Sequence, residues 1–290
     1  MTLSKNRAQL FLSSIVLFSV LAQSARAEQE VESLKTTPDQ DSSGISQFFK
    51  NKVEASFWGN LSGAGFDNMM AGDTPATDGS SASAQGLNAA NIAVRYRLGE
   101  GRSVGILQNL TSAPGKGDPL EMGDIAATYK IESWVDRGTF KLDGEFLAYA
   151  PTSVASRTAT SIGALRAVIT INRDFPGTLF SVGSYSFVNT SGYQDRIAAA
   201  ANSSDDVSFY QAPYANYQLT TNTSAAIWID LLMLHQRTGQ QNWTYDQPDL
   251  KPGWSWDFAK NMNLNPYVNI STHDPRWENT YLGVFLSMKN

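Results

Sequence analysis

From Lys52 onward, apolar and polar side chains alternate with a period of two, in segments of about nine to fourteen residues. A period of two puts successive side chains on opposite faces of an extended strand, so each segment predicts a strand with one apolar and one polar face. Residues 52–63 set Val53, Ala55, Phe57 and Leu61 against Glu54, Ser56, Trp58 and Asn60. Residues 89–98 set Ile92, Val94, Tyr96 and Leu98 against Asn91, Arg95 and Arg97. In 123–133 the polar face carries Asp124, Thr128, Lys130 and Glu132. In 139–150 it carries Lys141, Asp143 and Glu145, and in 160–173 Arg166, Thr170 and Asn172. Residues 208–220 follow the same rule. Residues 224–236 group Ile227, Ile229, Leu231 and Met233 opposite Asp230, and 253–261 place Trp254, Trp256 and Phe258 opposite Ser255 and Asp257. Residues 264–272 and 280–288 complete the set. In 102–110 and 178–190 the alternation is present but its phase stays open. Twelve strands result.

The connections alternate in length. Gly99-Glu100-Gly101, Val135-Asp136-Arg137-Gly138, Asp174-Phe175-Pro176-Gly177, Thr221-Asn222-Thr223 and Asn261-Met262-Asn263 are tight turns, rich in the residues that tolerate positive φ or preset it. Between them lie longer polar stretches at 66–88, 111–122, 151–159, 191–207, 237–252 and, shorter, 273–279, with a helical turn expected at 195–201. Two folds accommodate this pattern. A secreted β-sandwich buries one face of each strand in a core. A transmembrane barrel turns the apolar face to lipid, and its strand length, even strand number and one-sided long loops match the chain better. The fold expected is therefore all-β, a transmembrane antiparallel up-and-down β-barrel of twelve strands.

The last segment adds a motif. Gly283-x-x-Leu286-x-Met288, with the apolar residues on one strand face, resembles the C-terminal assembly signal of bacterial outer-membrane β-barrels. Leu282 stands where that family prefers a polar residue, and Lys289-Asn290 follow where it usually ends on an aromatic. The resemblance implies a porin-like outer-membrane barrel that meets the outer-membrane assembly machinery and outer-membrane lipids. Gly283, Leu286 and Met288 would form the assembly signal.

The N-terminus fits export. Lys5 and Arg7 precede an apolar run at 10–22, and Ala25-Arg26-Ala27 is a small-residue cleavage site, so 1–27 reads as a signal peptide too short to span a membrane. Residues 28–51 are polar and read as a periplasmic linker, and 52–290 as the barrel. Removing the signal takes away Lys5, Arg7 and Arg26 and no acid, which moves the formal charge from −5 to −8. That sign argues against nucleic acid as a partner. The chain has no cysteine, which excludes disulfide and thiolate chemistry. Seven Trp, eleven Tyr and fourteen Phe suit strands and interface belts, with Trp134 at a periplasmic strand end, Trp254 and Trp256 at an outer strand start, and Trp243 and Trp277 in outer loops.

In a barrel the polar faces become the lumen, so Glu54, Arg95, Arg97, Asp124, Lys130, Glu132, Lys141, Asp143, Glu145, Arg166, Asp230 and Asp257 are the pore-lining candidates. They either line a water-filled pore or close it by ion pairs, such as Lys141 or Lys130 with Asp124 or Glu145. Twelve strands enclose a lumen between the filled eight-stranded barrel and the wide sixteen-stranded one. The mixed lining predicts weak selectivity, slightly towards cations. Two histidines, His235 and His273, do not make a zinc site. Ser271 and His273 share a strand face, but their order differs from that of outer-membrane phospholipases, and His235 reads as a surface residue. The function expected is passive diffusion of small hydrophilic solutes, with no cofactor and no catalytic residue. A non-conducting structural or surface-interaction barrel, a lipid hydrolase and homo-oligomerisation remain the alternatives to weigh.

Overall fold

The computed structural model describes residues 52–65, 86–111, 121–246, 248–276 and 280–289; for 62–65, 86–89 and 111 it describes the backbone alone. The stretches expected to be a signal peptide (1–27) and a linker (28–51), and most of the first two long loops, lie outside the described residues. Strands dominate the rest: β1 (Val53–Gly65), β2 (Gly86–Gly99), β3 (Arg102–Thr111), β4 (Glu121–Asp136), β5 (Phe140–Ala150), β6 (Ser161–Asp174), β7 (Phe180–Tyr193) and β8 (Asp205–Gln218). They continue as β9 (Thr223–Asp230), β10 (Leu232–Arg237), β11 (Thr244–Asp246), β12 (Asp249–Ala259), β13 (Met262–Ser271) and β14 (Thr280–Lys289).

Every pairing is antiparallel, and consecutive strands are neighbours from β1 to β8. β9 and β10 both pair with β8 and form one stave interrupted at Leu231. β11 and β12 together form the next stave, pairing with β10 and β9. β14 returns to β1, so the sheet closes on itself as a barrel of twelve staves with up-and-down connectivity. Closure leaves no sheet edge unpaired, the condition for strands in a medium that offers no hydrogen bonds.

The register assigns the faces. Residues directly opposite in an antiparallel ladder share a face. Ile92, Val94, Tyr96, Val104, Ile106, Ile125, Phe146, Leu165 and Ile169 are exposed on one face. The other face carries contacts between strands that are not neighbours, such as Arg95 on β2 with Glu145 on β5, and Lys289 on β14 with Glu132 on β4. Side chains can meet across that distance only on the concave side. The apolar face is therefore the outside of the barrel.

The tight turns fall where the sequence put them, with Asn261 at φ 63° between β12 and β13 and Glu100 at φ 44° between β2 and β3. At the opposite end two short helices cover the loops. α1 (Val154–Thr158) is capped by Ser153, and α2 (Arg196–Ala201) by Asp195, whose carboxylate accepts from the Ile197 and Ala198 amides. The second of these is the expected helical turn.

Three sequence expectations change. The stave at 224–236 is out of phase in its second half. An extra residue at Leu231 forms a bulge against β8, so Ile227 and Ile229 point outward with Leu232 and Leu234, while Met233 turns inward opposite Tyr210. The next stave begins at Thr244 with β11, and its β12 part starts at Asp249 rather than 253, because Pro252 is tolerated at a gap in the β12–β13 ladder. Trp254 and Trp256 consequently lie near the short-turn end and not at an outer strand start. Pointing outward at 53% and 46% exposure, with Trp134 at 54%, they supply three large rings to that end of the barrel.

Candidate pore lumen

The inward faces of β1–β7 build one wall. Opposite residues form a continuous row: Glu54, Arg95, Gly105, Thr128, Leu147, Arg166 and Asn189. Arg95 does not point straight into the lumen. Its side chain lies along the wall over Gly105 and reaches Glu145 at 2.6 Å, with the two side chains 4% and 18% exposed. A Cβ at Gly105 would stand 2.2 Å from the Val94 carbonyl oxygen and 2.8 Å from Arg95 Cγ, so a glycine is required beneath this strap. Arg95 also donates to Ser56 Oγ at 3.2 Å and lies 5.8 Å from the Trp58 ring centroid. The space around it is apolar: Ala93, Leu107, Ala126, Leu147 and Val168 pack with Trp58, Tyr149, Tyr185 and Phe187. This resolves the open phases of β3 and β7, which send Leu107, Tyr185 and Phe187 inward. Arg166 sits among these rings, 4.6 Å from the Phe187 centroid and 5.2 Å from Tyr149. Among the described residues no carboxylate lies within ion-pair distance of it.

At the short-turn end of the same wall, charges are linked in series. Glu54 meets Arg97 and Lys289, each at 3.4 Å, and Glu132 meets Lys130 at 2.7 Å and Lys289 at 3.6 Å. Lys289, from the last strand, joins the two carboxylates.

The wall made by β9, β12, β13 and β14 is hydrogen-bonded and aromatic-polar. Asp230 faces Asp249 across the ladder. Asp230 accepts from Tyr210 at 2.6 Å and pairs with Lys251, while Asp249 accepts from Asn269 Nδ2 at 3.0 Å. Tyr267 donates to Asn60 at 2.7 Å, and its ring lies where a Gly283 Cβ would come within 2.2 Å of Cζ. Gly283 therefore leaves the space that ring occupies. Tyr214 stacks on Trp228 at 4.3 Å.

Ten of the twelve charged candidates lie on the inward face by register, and Asp124 and Glu132 by alternation within β4, but they do different things. Asp124 accepts from the Ser153 amide at 2.8 Å and from the Ser156 hydroxyl, anchoring α1 at the long-loop end. Asp143 accepts from the Ser133 amide at 2.6 Å and holds the β4 bulge, where Ser133 has φ 52°. Asp257 accepts from Asn263 at 2.7 Å near the short turns. Lys141 is exposed and makes no ion pair among the described residues. The ion pairs expected of Lys141 and Lys130 with Asp124 or Glu145 are replaced: Glu145 takes Arg95, Lys130 takes Glu132, and Asp124 is spent on a loop. Asp136, Asp174, Asp249, Lys251 and Lys289 are inward charges outside the expected set; Asp249 and Lys251 precede the strand start expected at 253, and Lys289 follows the strand end expected at 288.

His235 is not a surface residue. It is 7% exposed, with Nδ1 3.2 Å from Asp205 and Nε2 3.5 Å from Asp246. Ser271 faces inward opposite Asp249, and His273 is exposed in the loop beyond it. In β14, Leu286 and Met288 share the outward face with Leu282 and Val284, while Gly283 faces inward.

A closed antiparallel barrel, apolar outside and charged inside, is the architecture of porin-like outer-membrane barrels. Its structure is similar to that of an outer-membrane channel from Pseudomonas putida F1, with a TM-score of 0.54 and 13% identity over 82% of this chain and 95% of that one. The NanC porin is also similar, with a TM-score of 0.43 and 7% identity over 80% of this chain and 97% of that chain. At 13% identity the likeness to the Pseudomonas putida channel is one of fold alone. No protein-family model and no curated protein matches the sequence.

Proposed function

We propose that the chain is an outer-membrane channel through which small hydrophilic solutes diffuse passively. The observation that carries this reading is the inward face, which presents charged and polar side chains from Asp124 at the long-loop end to Asp257 and Lys289 at the short-turn end. A polar inward face of this kind is what water and hydrophilic solutes need in order to cross. The fold shared with the Pseudomonas putida channel supports the same reading. Selectivity is weak and slightly towards cations, because both signs line the inward face and acids outnumber bases there. The test is planar-bilayer recording of the refolded protein. Discrete conductance steps are expected, and a trace that stays at baseline sinks the proposal.

A second reading, a non-conducting barrel, draws on the inward apolar cluster around Leu107, Leu147 and Val168, which narrows the lumen on one side. The same recording separates the two.

Export through the signal peptide at 1–27 and insertion at the outer membrane complete the proposal, with Gly283, Leu286 and Met288 as the signal for the assembly machinery. Met288→Asp puts a carboxylate on the outward face near the barrel rim and is expected to reduce the heat-shifted, folded band in gels of outer membranes. Ser287→Asn, on the inward face, is expected to leave that band unchanged.

A further inference from the structure

The outward face is apolar along most of every stave, with a break on β7 and β8. There Ser184, Ser186, Gln211 and Pro213 occupy four adjoining outward positions, Ser186 opposite Gln211 and Ser184 opposite Pro213. Gln211 stands halfway along β8, flanked by Ser186 on one side and Leu232 on the other. Its side-chain amide makes no hydrogen bond to any described residue. The two serines share one long contact of 3.4 Å with each other. Gln108, another glutamine on the outward face, shows the contrast. Its amide donates to the Asn109 and Gly123 carbonyls at 2.9 Å each, so the chain satisfies it internally.

An amide at mid-depth has no partner in acyl chains, and desolvating it without one is unfavourable. Whatever covers this patch must therefore carry hydrogen-bonding groups at the same depth. Small side chains let a second backbone approach closely, and polar ones hydrogen-bond across the contact, as they do between packed transmembrane helices. Glutamine and serine each donate and accept, so the patch is complementary to itself. That is the requirement of a two-fold interface, where one surface meets its own copy. We infer that a second copy of this chain docks here, forming a two-fold dimer with Gln211 near its axis. The inference concerns the outside of the barrel and is independent of what crosses the lumen.

The absence of cysteine makes the test direct. Gln211→Cys, Ser186→Cys and, on the opposite side of the barrel, Val94→Cys are each oxidised in intact outer membranes. Folding is checked by the heat shift in gels. Gln211→Cys and Ser186→Cys are expected to run at twice the chain mass without reductant and to return to one mass with it, while Val94→Cys stays at one mass. A folded Gln211→Cys that remains at one mass overturns the dimer in favour of a lipid-covered patch. A cross-linked band of any other mass overturns it in favour of a different protein, and equal cross-linking of Val94→Cys overturns it as collision. As a second measurement free of cysteine, Gln211→Leu is expected to weaken self-association in detergent at least tenfold while keeping the heat shift. Unchanged association of Gln211→Leu also overturns the proposal.

Discussion

The inward faces of β2–β6 and of β9–β14 are built on the same alternating backbone, yet they hold their charges in opposite ways. On the first, Arg95 and Glu145 are pressed along the wall beneath aromatic rings, and Arg166 is sandwiched between Tyr149 and Phe187. On the second, Asp230 and Asp249 stand within a lattice of Tyr210, Lys251 and Asn269. The difference teaches that a polar strand face does not by itself make a wet wall. Burial of an ion pair is costly unless its geometry and remaining hydrogen bonds compensate, whereas charges within reach of water contribute little either way. The first wall is thus rigid and unforgiving, and the second adaptable.

That contrast can be broken by substitution. The largest effect is expected from Glu145→Ala, which strands the Arg95 guanidinium in the apolar cluster and costs about 3 kcal/mol, read as a lower urea midpoint in lipid vesicles. Arg95→Met combined with Glu145→Leu should recover most of that loss. Its counterpart, Asp230→Asn, should cost about 1 kcal/mol, since an amide oxygen there still accepts from Tyr210 and Lys251 keeps partial contact with water. If the two losses are equal, the distinction between the walls fails. Next comes Gly105→Val, which drives a side chain into the β2 backbone and should cost about 2 kcal/mol. Gly283→Ala meets the movable end of the Tyr267 ring and should cost about 1 kcal/mol. The smallest effects are on ion flow. Arg166→Gln should shift the zero-current potential in a salt gradient towards cation preference and Asp230→Asn towards anion preference, with both variants still showing the folded, heat-shifted band in gels.

Much of the fold was legible in the alternation of residues such as Ile125, Ala127 and Tyr129 against Asp124, Thr128 and Lys130, because a two-sided environment imposes a two-residue period on any strand. The misreadings arise where a local rule meets a tertiary exception. Leu231 looks like one more apolar residue, but the bulge shifts the phase behind it. Pro252 looks like the end of a loop, yet the ladder has a gap that accepts a proline, and Trp254 and Trp256 change ends of the barrel as a result. The chemistry of the lumen was less legible still. Nothing in the sequence around Arg95 announces Glu145, fifty residues away and three staves round the ring, nor does Asp124 betray that it serves a loop helix. Partnerships across a closed sheet depend on curvature, and curvature leaves no periodic mark.

The hydrogen bond from Tyr267 to Asn60 joins residues 207 positions apart. Asn60 belongs to the first stave and Tyr267 to the last hairpin, so this bond cannot exist until the ends of the chain have met. Contacts of such long sequence separation form late, after the loop entropy that opposes them has been overcome. The tyrosine is therefore a clock for the final step: its environment should change when the ring of strands shuts, and after the earlier hairpins have already zipped.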